Sequence, residues 1–159
     1  MTRETRFAAD RSLGKLAKWL RLLGYDTVYD AKITDADFLA LAAEGRVLLT
    51  RTSRFIGRVP DRTLLWVSGN DSREQLRHVV KTAGLGMGGD RLFSRCLRCN
   101  RIVVPAHREN VASKIPDYIF AVHARFAQCP QCRRIYWRGT HAERSRRVLD
   151  SLLPGAEDI

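Results

Sequence analysis

The sequence predicts an α/β protein with a parallel central sheet, followed by a small cysteine-bearing module and a terminal helix. Two observations lead to this fold class. Residues 6–83 alternate short apolar runs with amphipathic helical segments, a pattern that favours a parallel sheet covered by helices. All four cysteines lie in residues 96–132, as two C-x-x-C pairs. With 159 residues, 45% of them hydrophobic, the chain can form one ordinary domain and a small module that is stabilised by a bound metal ion.

The first strand and the first helix follow one another closely. Residues 6–9 form a short apolar run that ends at Asp10. Ser12 is placed to cap a helix with apolar residues at the 3.6-residue period, and Gly24 ends that helix in a left-handed conformation. Three basic residues lie three apart on the polar side of this helix, either solvated or facing phosphate: Lys15, Lys18 and Arg21.

The alternation then continues through the first half of the chain. A second strand covers 27–29, and Thr34 with Asp37 resembles a capping box for a helix that runs to about Gly45. The later elements are two continuous apolar runs, typical of strands covered on both faces, and one amphipathic helix: strands at 46–50 and 64–67, and a helix at 72–83.

The segment 84–89 holds four glycines in six residues and resembles a hinge. We therefore expect a first domain at residues 1–90 and a second unit at 91–159. Thr140 with Glu143 resembles a capping box for a last helix, which Pro154 and Gly155 would end.

The four cysteines indicate a structural zinc site. Two-residue spacing lets both thiolates of a tight turn reach one ion, and two such pairs close a tetrahedral shell. The closed shell leaves no position for water, so the zinc would organise the module and carry no chemistry. Two disulfides or four unrelated thiols are the alternatives. The predicted zinc ligands are Cys96, Cys99, Cys129 and Cys132.

The charge points to a polyanionic partner. The chain carries 28 Lys and Arg against 17 Asp and Glu, a net charge of +11, and residues 91–159 alone contribute +7. Nucleic acid is the partner that such a charge favours, and a solvated basic surface is the alternative. No apolar run approaches the ~20 residues that span a bilayer, and the start has no signal-peptide core. A cytoplasmic protein with reduced, metal-bound cysteines fits these features.

Several acidic or hydroxyl residues follow the predicted strands, where ligands of parallel sheets bind. Clustered carboxylates in a basic protein suit a magnesium- or manganese-dependent nuclease, because the metal neutralises phosphate and orients a water. An aspartate at a strand-to-helix turn is otherwise simply a cap. The residues in question are Asp10, Asp30, Thr52 and Asp71 after the strands, and Asp35 and Asp37 at a helix start.

Four segments, in order, resemble one known family. They are residues 7–26 (FAADRSLGKLAKWLRLLGYD), 45–51 (GRVLLTR), 94–100 (SRCLRCN) and 136–141 (YWRGTH). They are similar to the PIN-like RNase family with a fused zinc ribbon, the type named for the C-terminal domain of the Mut-seven exonuclease. The similarity runs from about residue 6 to 150. It implies a PIN-like three-layer α/β/α sandwich, an acidic metal site and ribonuclease activity.

The resemblance also assigns roles. Asp10 matches the first-strand aspartate of the family, Asp35 or Asp37 the acidic helix start, and the four cysteines the zinc ligands. One departure concerns the third strand, where the family pattern Leu-Thr-Arg-Asp is replaced by a sequence that ends in Thr52. A hydroxyl brings no negative charge, so we expect metal affinity to fall. The site would then keep a more weakly bound metal, recruit Asp71 or be inactive, and the alternative is that Thr52 is a tolerated variation in an active enzyme.

Two hypotheses follow. The first is a metal-dependent ribonuclease in which Asp10 and Asp35 or Asp37 bind Mg²⁺ or Mn²⁺ and Thr52 holds a water. The second is a catalytically weakened or inactive module that binds RNA or a ribonucleoprotein. Tyr136 and Trp137 either stack on bases or pack beneath the zinc site, and packing is favoured. The residues predicted to contact nucleic acid are Arg11, Lys15, Arg21, Arg51, Arg133, Arg134, Arg138 and His141.

Overall fold

A computed structural model describes residues 4–86 and 89–153. Its centre is a four-stranded, all-parallel sheet in the order β2-β1-β3-β4, which confirms the predicted parallel α/β class. The register sets Ala8 beside both Val28 and Leu48. The strands are β1 (Phe7–Ala9), β2 (Thr27–Val28), β3 (Val47–Thr50) and β4 (Leu64–Trp66).

Helices cover both faces of this sheet. The helices of the first half are α1 (Gly14–Leu22), α2 (Asp35–Ala40), which continues into a 3-10 turn (Leu41–Glu44), and α3 (Ser72–Ala83). On one face, α1 and α3 pack with Phe7 and Leu49 in the larger hydrophobic cluster. On the other face, Phe38 of α2 packs with Ala8 and Leu48. Strand side chains alternate between faces, so neighbouring residues of β1 enter different clusters.

The order of the strands creates a switch point between β1 and β3. The chain leaves β1 through α1 to reach β2, and it returns through α2 to β3 on the other side of β1. The two connections therefore diverge above the carboxyl ends of β1 and β3. A crevice at this position is where open parallel sheets bind their ligands.

The second half forms a small antiparallel sheet in the order β5-β6-β7, with two short helices inserted between its first two strands. Its elements are β5 (Val104–Ala106), α4 (Arg108–Val111), α5 (Asp117–Val122), β6 (Phe126–Gln128), β7 (Ile135–Tyr136) and the terminal helix α6 (Thr140–Leu152). Leu149 and Leu152 of α6 are buried in the larger cluster beside α1 and α3. The terminal helix thus packs on the first half of the chain.

Three local predictions about helix ends have different outcomes. Thr34 caps α2 as expected, because its side chain accepts a hydrogen bond from the amide of Asp37. Ser12 does not cap α1, because the helix begins at Gly14 and Leu13 occupies its N-cap position without a side-chain hydrogen bond. The Ser12 hydroxyl donates to Asp10. Thr140 also does not cap α6, because it is the first residue of that helix.

Three glycines of the first half end helical segments in left-handed backbone, at φ 91° for Gly24, 77° for Gly45 and 62° for Gly84. The predicted hinge lies partly outside the described residues, as do Pro154 and Gly155, so the boundary near residue 90 stays a prediction. Within the described ranges, no helix is long and apolar enough to cross a bilayer.

Candidate functional site

Asp10 lies directly after β1, at the switch point of the sheet. Its side chain is 7% exposed and accepts four hydrogen bonds. One carboxylate oxygen accepts from the Ser12 amide at 2.8 Å and from the Ser12 hydroxyl at 2.6 Å. The other accepts from the Thr50 hydroxyl at 2.6 Å and from the Arg51 amide at 3.2 Å. These donors come from both strands that flank the switch point, so the orientation of the carboxylate is fixed.

A cleft of about 240 Å³ opens beside Asp10. It lies above the carboxyl ends of β1 and β3, and buried aromatic rings form part of its wall. The Phe38 and Phe55 rings lie 5.1 Å apart, and the Arg54 guanidinium sits 4.7 Å from the centre of the Phe55 ring. The cleft is lined by Asp10, Arg11, Ser12, Ile33, Asp35, Phe38, Arg51, Thr52, Arg54 and Phe55.

The charged residues of the cleft are three arginines and two aspartates, a net charge of +1. Asp35 accepts from Arg54 at 2.9 Å and from Arg11 at 3.4 Å through the same oxygen. Both pairs are roughly half exposed, so the ion pairs are exchangeable and individually weak. Arginine forks of this kind suit phosphate, which binds two N–H groups at once.

The other predicted acidic residues occupy different places. Asp37 accepts from the Thr34 hydroxyl at 2.7 Å at the start of α2. Asp71 caps α3 by accepting from the amides of Glu74 and Arg73, which hold the pKa of Asp71 below its usual range. Among the described residues, neither belongs to the lining of the cleft. Thr52 does line it, and the Thr52 amide donates to the Thr50 hydroxyl at 3.0 Å.

Arg21 requires a correction among the residues predicted to contact nucleic acid. It is 4% exposed, and its guanidinium donates to the carbonyls of Thr27, Leu97 and Arg98. Burial lowers the pKa of Arg21, although an arginine remains charged at neutral pH. Arg21 therefore joins α1 to the cysteine module and does not face a ligand.

The remaining residues of that set lie on the surface in separate places. Arg11 and Arg51 line the cleft, whereas Lys15 lines a second groove along α1. Four more are exposed on the C-terminal half: Arg133, Arg134, Arg138 and His141. Sequence reasoning missed Arg54 and Ser12 as cleft residues. Arg54 follows Arg51 by three positions, but only the short 3-10 turn at Ser53–Phe55 brings it to Asp35.

The four cysteines form one cluster whose Sγ atoms all lie within 4.8 Å of one another. No disulfide joins any of them, which favours the metal site over the disulfide alternative. The amide of Cys99 donates to the Cys96 Sγ at 3.3 Å, and the amide of Cys132 donates to the Cys129 Sγ at 3.5 Å. Such amide–sulfur bonds favour the thiolate form that a metal needs. The cluster can hold one structural zinc ion.

Tyr136 packs against this cluster, as the sequence favoured. Its hydroxyl donates to the Cys96 Sγ at 3.1 Å and accepts from the Leu97 amide at 3.1 Å. Burial raises the pKa of the Cys96 thiol, but the bonds from the Tyr136 hydroxyl and the backbone outweigh it and lower that pKa to about 7. Cys96 is therefore suited to bind a metal as a thiolate.

A divalent cation in the cleft would meet a smaller set of donors. Within residues 4–86 and 89–153, three or more metal-ligating groups come together at the cysteines alone. The cleft offers two carboxylates, Asp10 and Asp35. Mg²⁺ is commonly bound by one or two carboxylates together with waters and substrate phosphate. These two carboxylates can contribute to such a site where waters and a bound phosphate complete the coordination shell.

Comparison with known proteins gives one match. The family model of the Mut7-C RNAse domain matches residues 5–149, which span the sheet, the cleft and the cysteine cluster. Searches of curated proteins and of solved structures return no significant match.

Proposed function

The chain belongs to the Mut7-C RNAse domain family, and on that premise we propose that it is a metal-dependent ribonuclease whose cleft binds an RNA phosphodiester. One observation carries the proposal. Two carboxylates and three arginines converge on one cleft at the switch point of a parallel sheet. The net positive charge attracts phosphate, and the carboxylates supply anionic ligands for Mg²⁺ or Mn²⁺.

The arginines bind and orient the substrate. Arg11 and Arg54 are held by Asp35 when no phosphate is present. An incoming phosphodiester competes for both guanidiniums, because its oxygens accept the same forked bonds. This exchange releases the Asp35 carboxylate towards the cleft. Arg51, which follows β3, supplies a third cation for the phosphate backbone of the RNA.

Asp10 and Asp35 would hold the divalent cation. A bound Mg²⁺ or Mn²⁺ supplies charge neutralisation at the phosphate and an activated water. Asp10 is fixed for this role by Ser12 and Thr50, so it loses little freedom when a ligand arrives. Thr52 stands where the family pattern has an aspartate, and its hydroxyl can position a water.

The test compares cleavage of single-stranded RNA with Mg²⁺ or Mn²⁺ by the wild type, Asp10→Asn and Thr52→Asp. We expect wild-type cleavage that needs the metal, a loss of about a hundredfold in Asp10→Asn, and stronger metal affinity in Thr52→Asp. Asp61→Asn, an exposed acid outside the cleft, is the matched control and should cleave at the wild-type rate. Metal-independent cleavage, or equal rates in Asp10→Asn and the control, would contradict the proposal.

The second candidate is an RNA- or ribonucleoprotein-binding module with little or no cleavage. It is favoured by Thr52 and by the four donors that already occupy Asp10. In that case the wild type retains RNA at low salt without cutting it, and Thr52→Asp gains metal-dependent cleavage.

A further inference from the structure

A second groove, of about 230 Å³, runs along α1 on the side of the cysteine module. Four of its residues recur on one side of α1 at positions i, i+3, i+4 and i+7. The other walls come from the start of α3, the first cysteine pair and α6. The groove is lined by Lys15, Lys18, Trp19, Leu22, Ser72, Leu97 and Ser145.

The groove lining combines positive charge with an apolar surface. Lys15 and Lys18 give it a charge of +2, and its lining contains no carboxylate. Leu22 and Leu97 supply an apolar floor, and the hydroxyls of Ser72 and Ser145 are hydrogen-bonding groups. Positive charge beside an apolar surface suits a nucleotide, because its phosphate binds cationic side chains and its base stacks on an aromatic or apolar surface.

Trp19 is held in a defined orientation. Its indole N–H donates to the Ser72 hydroxyl at 3.3 Å, and its ring packs against the larger hydrophobic cluster. A ring that is already ordered loses little entropy when a base stacks on it. Ser145 of α6 lines the same groove as Trp19. Because Ser145 lies four residues after the exposed His141 and four before the buried Leu149, these three residues share one side of α6.

The groove begins no more than about 14 Å from the cleft, which is the most that the four residues of chain from Arg11 to Lys15 can span. Lys15 lies in the first turn of α1, five positions after Asp10 and four after Arg11. From Lys15 to Leu22 the helix rises by about 10 Å. A strand bound at the arginines of the cleft can therefore reach Lys15 at the edge of the sheet and then follow α1.

We propose that this groove is a second subsite, which binds a nucleotide of the same RNA strand next to the cleft. The phosphate lies on Lys15 and Lys18, and the base lies against Trp19 and the two leucines. The inference rests on the proposed function, since the strand enters from the cleft. The sequence predicted Lys15 as a contact to nucleic acid, and the proposal assigns that contact to a phosphate beside the cleft.

The first test measures the binding of a twelve-nucleotide single-stranded RNA by the zinc-loaded full chain, without added Mg²⁺ or Mn²⁺, over a range of salt. For single strands each phosphate contact contributes about 0.7 to the slope of log K against log salt. Because both lysines contact one phosphate, we expect Lys15→Gln/Lys18→Gln to lower that slope by about 0.7. The control Lys81→Gln/Lys114→Gln makes the same charge change at two exposed lysines outside the groove and should keep the wild-type slope.

The second test changes the opposite wall. Ser145→Glu places a carboxylate in the groove, while Ser145→Gln adds similar bulk without charge. We expect Ser145→Glu to bind the RNA at least about fivefold more weakly than Ser145→Gln at low salt, because a like charge repels the phosphate.

The outcomes separate the two proposals. If the wild type binds RNA, Arg51→Gln weakens binding, and the double lysine variant matches its control, the subsite is overturned and the cleft stands. Equal affinities of Ser145→Glu and Ser145→Gln overturn the subsite as well. If the wild type retains no RNA at low salt, the proposed function itself fails.

Discussion

Arg21→Met should destabilise the protein without changing its contacts to RNA. Methionine keeps the length of the buried stem but removes the guanidinium, which leaves the carbonyls of Thr27, Leu97 and Arg98 without their donor. A buried acceptor left unpaired costs about 1–3 kcal/mol. The bonds measure 2.9, 2.8 and 3.2 Å. They join α1 to β2 and to the first cysteine pair, so one substitution loosens two interfaces.

The size of the effect depends on how much water reaches each carbonyl. The bond to the Thr27 carbonyl is buried, whereas those to Leu97 and Arg98 are partly buried and can be replaced by water. The substitution also removes the free-energy cost of keeping the Arg21 charge away from water, which offsets part of the destabilisation. We therefore expect a net loss of about 3 kcal/mol. For a chain of this size that corresponds to a fall in Tm of about 6–12 °C.

The assay is thermal unfolding of the zinc-loaded protein, followed by far-UV circular dichroism. Lys81→Met, at an exposed lysine of α3 outside both the cleft and the groove, is the matched control and should lie within about 0.5 kcal/mol of the wild type. RNA binding provides the opposite readout. If Arg21 were a phosphate contact, its variant would keep the wild-type Tm and lose about 0.7 from the salt slope. That pair of results would refute the structural role.

Three further predictions concern other contacts. Burial raises the pKa of Asp26, but the hydrogen bonds from Arg46 and from an asparagine outweigh it and hold that pKa below its usual value of about 4. The stabilisation by Asp26 is thus complete above pH ~4 and disappears as the pH falls through the lower folded-state pKa. Asp26→Asn should cost about 2 kcal/mol at pH 7 and should flatten the acid limb of a Tm–pH profile; an unchanged limb would count against this. Elemental analysis should find one zinc per chain, and Cys129→Ser should lose it and unfold at least about 10 °C lower; a metal-free wild type of equal stability would contradict a structural zinc. In Gly14→Ala the new Cβ would lie 2.7 Å from the Tyr29 ring, so we expect a loss of about 1–3 kcal/mol in a denaturant titration, and a neutral result would mean that the ring moves freely.

The sequence was a good guide to what depends on periodicity and on strand order. Apolar runs placed β1, β3 and α3 within one residue or so of their observed ends. Because the β-α-β pattern implies a parallel sheet, it also placed Asp10 at the edge where ligands bind. The C-x-x-C spacing identified the cysteine cluster, because a turn with two intervening residues brings its two sulfur atoms together locally.

The sequence was a poor guide wherever a side chain chooses among partners that are distant in the chain. Ser12 looked like a helix cap, yet α1 starts one residue later than that role requires, and the Ser12 amide and hydroxyl both donate to the Asp10 carboxylate. Arg21 sits at a position that looks polar in the helical pattern, but the cysteine module covers that side of α1. A helical period identifies which residues share a face, and it cannot say which later segment covers that face.

The placement of α1 explains why the cleft, the groove and the cysteine cluster depend on one another. The helix begins four residues after Asp10, carries Lys15 and Lys18 on the groove, and ends near Arg21, which is bonded to the first cysteine pair. A shift of that cysteine pair would therefore move Leu97 in the groove wall and pull on the helix that starts at the cleft. A zinc ion held by the four cysteines would do no chemistry in this arrangement. Because it would fix the far end of α1, its removal should weaken RNA binding in the groove before it affects the hydrogen bonds that hold Asp10.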